Sequence, residues 1–347
     1  MVKSEDVKLS IFSSDKDLHE QRKLFSECFP ENNGTSVESK EHYFWKFHSL
    51  LKKPSSFEFI AKIDTSVVGY YAAIPYEYII EGKNYTIGMV CDVMTGVKAR
   101  GKGIFTKLGT YSTSLLKKKE LAFTMGYPIR EEVMPGHLKV GWDIIFKLPL
   151  YMSFIKVNGV FKKIKIEWLS FIPNFILFLL NRFLFTKKIN LPFTYDIYSS
   201  TQIEDIDGLF DFIKKYTTEK TIVLNKSKEF LKWRLSAPSK IYKLITIKDD
   251  KSIIGVAIVT IVIQNDIKSV AVLDFMILND SKKYAKLLNS VIIEFAQKNR
   301  VEIILKMMSK YEKKKLRFIN MGYVASPYKF TLIIKKFDDS INKNILF

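Results

Sequence analysis

The chain has 347 residues, more than one ordinary domain of roughly 100–200 residues requires, so two domains are expected. A hydrophobic fraction of 47% with 14% aromatic residues excludes global disorder, and two cysteines, Cys28 and Cys91, exclude a disulfide scaffold. The net charge of +19 raises the question of a polyanionic partner. Yet nearly all of the 55 basic residues are lysines and the few arginines are scattered, so a phosphate grip built on guanidinium forks is not indicated. Nucleic acid is therefore not the expected partner.

In chain order, KLSIFSS (8–14) reads as a strand and 15–29 as a helix. EHYFWKFHSLL (41–51) carries aromatic residues at helical spacing. Three strand-like runs follow at 57–63, 67–80 and 85–97, separated by the turn residues DTS and EGKN, as antiparallel neighbours require. A helix beginning near Gly103 places Ile104, Leu108, Tyr111 and Leu115 on one face. LAFTMGY (121–127) is the next strand, and a short helix ends at Gly141.

The second half repeats this order. TYDIYSS (194–200) is a strand, 203–216 a helix, and KEFLKWRLS (228–236) a further helix. Strands IYKLITI, SIIGVAIVTIVI and SVAVLDFMIL come next. A helix over 281–297, strand VEIILKM (301–307), a short helix and MGY complete it. Trp45 precedes Gly141, and Trp233 precedes Gly322, by nearly equal spans. Two copies of one mixed α/β fold are expected, each a mostly antiparallel sheet flanked by helices.

Between the halves, 161–188 is strongly apolar from Trp168 to Phe185 and flanked by lysines. A membrane span needs about 20 apolar residues, and this stretch is broken by Pro173, Asn174, Asn181 and Arg182. A buried interdomain helix is the expected reading. Peripheral contact with a membrane through 161–188 is the alternative.

The sharpest local feature is VKARGKGIFTKL (97–108), two glycines two residues apart between a strand and a helix. Gly101 and Gly103 let the backbone approach a ligand closely. The unpaired amides that open the helix, at Ile104 and Phe105, carry the positive end of its dipole. With Arg100, Lys102 and Lys107 nearby, the loop suits a pyrophosphate. It is neither a Walker A loop nor a dinucleotide fingerprint.

The order of strands, RGKG, helix, strand, short helix and Gly-Trp resembles the GNAT family of acyl-CoA N-acyltransferases over most of 8–155. Arg100 and Gly103 match the family's coenzyme-A loop, whereas Phe105 stands where the family has a small residue. The resemblance implies two tandem GNAT-like folds. The first spans 1–157 and carries the acyl-CoA loop, 158–192 is an apolar connector, and 193–347 is a degenerate second copy. In that copy the corresponding run MILNDSKKYAKLL has no glycine.

The resemblance also implies site roles. A bulge in the strand before the loop, expected at Thr95-Gly96, presents the amides of Met94, Thr95 and Val97 to the pantetheine arm and thioester. Asp92, in an otherwise apolar strand, is the candidate for binding the amine or removing its proton, with a loop-capping carboxylate as the alternative. His137 stands four residues before Gly141, where the family often has a tyrosine near the coenzyme-A sulfur. It is the candidate proton donor, with a capping or exposed histidine as the alternative. The same offset in the second half falls on Phe318, which cannot donate a proton.

No metal site is expected, since His19, His42 and His48 are not clustered with cysteines. The implied function is acetyl transfer from acetyl-CoA to an amine of a small molecule or amino sugar. The rivals are a Fem-like aminoacyl transferase using aminoacyl-tRNA and a non-catalytic binding protein. The opening MVKSEDVKLS is too polar for a signal peptide, so the expected compartment is the cytoplasm, at its membrane face if 161–188 makes lipid contact. No oligomeric state follows from these residues.

Overall fold

The computed structural model describes residues 7–187, 190 and 192–338. Its elements begin with strand β1 (Val7–Ile11) and helices α1 (Ser14–Cys28) and α2 (Lys40–His48). Strands β2 (Phe57–Ile63), β3 (Ser66–Ile80) and β4 (Lys83–Thr95) precede helix α3 (Ile104–Lys117). Strand β5 (Phe123–Gly126), helix α4 (Met134–Lys139) and strand β6 (Asp143–Phe154) follow. Next come helices α5 (Asn158–Lys163) and α6 (Phe171–Leu179), strand β7 (Phe193–Ser199), helix α7 (Leu209–Thr218), strand β8 (Ile222–Leu224) and helix α8 (Lys228–Leu235). Strands β9 (Tyr242–Asp249), β10 (Ser252–Gln264) and β11 (Ile267–Ile277) then lead to helix α9 (Lys282–Lys298). Strand β12 (Ile303–Met307), helix α10 (Lys310–Lys315) and strand β13 (Val324–Lys336) complete the order.

Two compact units form, and neither is a continuous stretch of chain. One gathers the residues up to Phe146, Thr221–Ser239 and those from Thr331 onward; the other gathers Lys147–Lys220 and Lys240–Phe330. The chain leaves the first unit within β6, returns to it for Thr221–Ser239, and returns again within β13. Consecutive blocks ending at 157 and starting at 193 therefore do not describe the folded units.

In the first unit β1, β2, β3 and β4 pair antiparallel in that order, β4 pairs parallel with β5, and β5 pairs antiparallel with the end of β13. Strand β8 adds to β3. In the second unit β7, β9, β10 and β11 pair antiparallel, β11 pairs parallel with β12, and β12 pairs antiparallel with β6. Strand order and sense thus repeat between the units. The repeat extends to an irregularity: β4 carries an extra residue between Cys91 and Met94, and β11 carries one at Leu273.

Helix α3 seats the loop before it. Its Ile104, Leu108 and Leu116 pack on Ala61, Tyr71 and Val90 of the sheet. The approach is close because Gly69 faces the helix; a Cβ there would stand 3.2 Å from Leu108. The two tryptophans that mark the sequence repeat also meet in this unit. Trp45 and Trp233 stack at 5.7 Å, each indole N–H donating to the other's backbone carbonyl at 2.7 Å. Helix α7 starts at Leu209 rather than 203, because Gly208 at its N-cap has φ 73° and breaks any earlier helical run.

The apolar stretch departs from expectation. Over Glu167–Phe185 only 6% is buried, so it is not a buried helix. Asn174 accepts a hydrogen bond from the Val157 amide at 2.9 Å, and Asn181 donates to the Phe154 carbonyl at 3.0 Å. Polar residues fasten this segment while its apolar residues face outward. Lys188 lies outside the described residues.

Candidate functional site

Strands β4 and β5 pair only at Gly88–Thr124 and Met89–Met125. Beyond that point they diverge, and a cavity of about 960 Å³ opens in the first unit. Residues 89–95 of β4 form one lip and 126–130 the other. A strand edge that has lost its neighbour presents unpaired backbone groups along its length. The first turn of α3 and the body of α4 close the cavity.

The loop borders this cavity. Gly101 has φ 74° and Gly103 φ 73°, both in the left-handed region, and a Cβ at either would point into open space. Gly103 is the N-cap of α3, which has neither a side-chain cap nor an acidic residue in its first turn. Its opening amides and the positive end of its dipole are thus left to an anionic ligand. Arg100, Gly101, Gly103, Ile104 and Phe105 line the cavity, as do Met94 and Thr95; Lys102 and Val97 do not. Arg100 Nε donates to the Thr95 carbonyl at 3.2 Å, bracing the loop against the end of β4. The Val97 amide donates to Glu27 Oε1 at 2.6 Å, so it is committed to α1 and is not offered to a pantetheine arm.

Among the described residues, two buried polar atoms on the cavity wall have no protein partner: the Thr95 hydroxyl and the Trp142 indole N–H. A buried donor without a partner costs about 1–3 kcal/mol. Polar groups of a bound coenzyme-A arm would satisfy such atoms, and the residues present fit that ligand.

The bulge exists, but not at Thr95-Gly96. Tyr70 of β3 faces Met94 and Ala72 faces Cys91, which puts the extra residue of β4 at Asp92-Val93. Gly96 keeps an ordinary φ of −54°, and its amide donates to the Val68 carbonyl. Asp92 takes the left-handed conformation, with φ 50°. Aspartate tolerates this region better than most side chains. The sequence pointed to the nearby glycine, whereas the strained residue is the candidate carboxylate itself.

Asp92 Oδ1 accepts a 2.7 Å hydrogen bond from Lys46 Nζ of α2, and both groups line the cavity. Burial acts to lower the Lys46 pKa, but the adjacent Asp92 carboxylate outweighs it and holds the ammonium above its ordinary range. A fixed carboxylate is thereby exposed to the cavity with a permanent counter-charge behind it. Lys46 carried no functional signal in the sequence, because it sits among aromatic residues that read as helix packing. Burial pushes the thiol of Cys91, the adjacent strand residue, up to about 12.

His137 lines the cavity and is buried. It packs edge-on against Phe105 at 5.0 Å and Trp142 at 5.3 Å between ring centroids. Burial in this aromatic setting lowers its pKa to about 4. At neutral pH the ring is therefore neutral, which conflicts with the proton-donor role read from its position. Phe105, the departure from a small residue, is accommodated by Gly136 of α4, where a Cβ would stand 2.6 Å from the ring. Among the described residues Tyr127 is the only phenol on the cavity wall, and burial raises its pKa, so it keeps its proton.

The second unit has no equivalent loop. Helix α9 is capped by Ser281, whose side chain accepts from the Tyr284 amide. Just before it, Asp280 takes Lys220 and Lys315 at 2.6 Å each. A cap and a carboxylate stand where the first unit leaves bare amides. Phe318 is fully buried against Phe275 and Tyr323.

Comparison with known proteins agrees with this geometry. Residues 12–145 match the family model of the GNAT acetyltransferase domain, while no curated protein matches the sequence. Among solved structures, the chain is similar to a probable N-acyltransferase from Enterococcus faecalis, with TM-score 0.69, 12% identity, and coverage of 96% of this chain and 73% of that one. It is similar to a GCN5-related N-acetyltransferase from Anabaena variabilis, with TM-score 0.64, 11% identity, and coverage of 95% and 73%. Saccharomyces cerevisiae N-myristoyltransferase with bound myristoyl-CoA gives TM-score 0.63 at 11% identity, covering 97% and 84%. At such identities the likeness concerns the fold. The domain match places a GNAT acetyltransferase-like domain at 12–145, and the solved structures show that the chain shares the fold of N-acyltransferases.

Proposed function

We propose that the first unit transfers an acetyl group from acetyl-CoA to an amine of a small molecule or amino sugar. The observation that carries this reading is a single cavity shared by two features: an uncapped helix start behind a two-glycine loop, and a split strand edge bearing Asp92. Acetyl-CoA supplies the acyl group as a thioester. The α3 amides, with Arg100, hold the pyrophosphate. The open edge of β4 at Met94 and Thr95 carries the pantetheine arm.

Asp92 pairs with the incoming ammonium and accepts its proton, directly or through water, which frees the nitrogen lone pair. The nitrogen attacks the carbonyl carbon, and the electron pair moves to oxygen beside backbone amides of the bulge. When the pair returns, the C–S bond breaks, Tyr127 donates its proton to the departing thiolate, and the proton shed by the acylated nitrogen restores the phenol. His137, neutral at the working pH, serves as wall and orienting contact for the acyl group.

Acetyl as the donor group is supported by the acetyltransferase family match. Titration calorimetry with acetyl-CoA, followed by thiol release across a panel of small amines and amino sugars, tests the proposal. We expect acetyl-CoA binding and amine-dependent release of one thiol per acetylated product. Turnover of a long-chain acyl-CoA without turnover of acetyl-CoA would overturn the acetyl assignment; no acyl-CoA binding would overturn the reading as a whole.

A further inference from the structure

The 167–185 segment is fastened by its polar residues and exposes its apolar ones, the reverse of an ordinary surface helix. Asn174, Asn181 and Phe185 face the second unit. The two asparagines bond to backbone atoms, and Phe185 packs over Gly322. Across from them lies a stripe at three- and four-residue spacing, where Trp168 is 73% exposed, Phe171 65%, Phe175 63% and Phe183 70%. A stripe this wide and this aromatic is unusual on a monomeric surface and marks a contact.

The bases around it say what the contact is. Lys162, Lys163 and Lys165 are exposed just before the stripe, and Arg182 and Lys187 are exposed at its end. Glu167 is the sole acidic side chain from 161 to 187. We infer that this segment lies in the interfacial plane of an anionic lipid bilayer, its apolar face among the acyl chains and its flanking bases at the headgroups. A second copy of the chain fits less well. A symmetric apolar contact would bring each copy's basic rim close to the other's.

The segment lies on the bilayer rather than through it. It is about 28 Å long at helical rise, enough to span. However, β6 before it and β7 after it belong to one sheet of one unit. A crossing would place that sheet on both sides of the membrane. It would also bury Asn181 and Arg182 in hydrocarbon.

The test is flotation of the full chain with vesicles of phosphatidylcholine alone, or with about one-third phosphatidylglycerol. Binding is expected to the anionic vesicles, to weaken as salt rises and to be extractable by carbonate. The combined variant Phe171→Ser, Phe175→Ser, Phe178→Ser should lose at least about tenfold in partitioning. These side chains are exposed, so its melting temperature and acetyl-CoA affinity should match the parent's. Lys162→Glu with Lys163→Glu and Lys165→Glu should abolish the preference for anionic vesicles. Parent protein that floats with neither vesicle, or a triple serine variant that floats as well as the parent, overturns the inference. So does a dimer seen by light scattering and lost in the serine variant, which assigns the face to a second copy, or a carbonate-resistant parent, which assigns a span.

Discussion

Asp92 is held by two constraints that do not depend on a substrate, a left-handed backbone and an ion pair with Lys46. Asp92→Asn keeps the shape and the hydrogen bond but removes the charge that pairs with an amine. We expect kcat/KM to fall by about 10²-fold or more with acetyl-CoA affinity nearly unchanged; an unchanged kcat/KM would remove Asp92 from the reaction. Tyr127→Phe should lower kcat on the same scale, whereas His137→Ala should change it less. The reverse order would return the acid role to the histidine. His137 has a second, thermodynamic consequence. Its folded pKa of about 4 lies below the ordinary 6.5, so the unfolded chain takes up the proton first. Its contribution to stability is complete above pH 6.5 and is lost as pH falls toward 4. At pH 5 the loss is about 2 kcal/mol. Chemical denaturation at pH 7.5 and pH 5 should show a steeper loss for the parent than for His137→Gln by about that amount. Equal slopes would mean that the ring is not buried as described.

At the scale of elements, the loop before α3 depends on two residues that must be glycine. Gly103→Val puts a β-branched side chain at φ 73°, where strain costs about 1–3 kcal/mol, and forces the N-cap to shift. Acetyl-CoA affinity should fall by at least about tenfold, while the α3 core residues Leu108 and Leu116 keep the fold intact. Calorimetry showing parent-like affinity would mean that the loop does not carry the pyrophosphate. This loop was legible in the sequence because glycine pairs and a following amphipathic helix are local signals. The bulge was legible only to within a few residues: no rule read from sequence chooses Asp92 over Gly96 until Lys46 is known to be its neighbour. Lys46 itself was hidden, since its partner is distant in sequence. Strands β6, β8 and β13 were missed for a related reason. Pro149 and Pro327 interrupt the alternation in two of them, the third has three residues, and their pairing is with distant segments. The exposure of Trp168 to Phe185 was also hidden, because composition does not say which face of a helix is fastened.

At the scale of the whole molecule, the strand order and the irregularity in β4 and β11 repeat between the units, whereas the loop does not. This difference decides how many ligands the chain can hold. In the first unit the start of α3 is bare and opens on a cavity; in the second, Ser281 caps α9, and Asp280 with its two lysines occupies the approach. A pyrophosphate brought there would meet a carboxylate and would have to displace two formed ion pairs. We therefore expect acetyl-CoA to bind with a stoichiometry of one per chain, as calorimetry reads it directly. Asp280→Ala with Ser281→Ala should leave both affinity and stoichiometry unchanged, since bare amides without the glycine loop lack the close approach that Gly101 and Gly103 permit. Two equivalents bound to the parent chain would show that the second unit has kept a donor site by another arrangement. One equivalent that survives Gly103→Val but is lost on changing Asp280 would place the site in the second unit and reverse the assignment of the two.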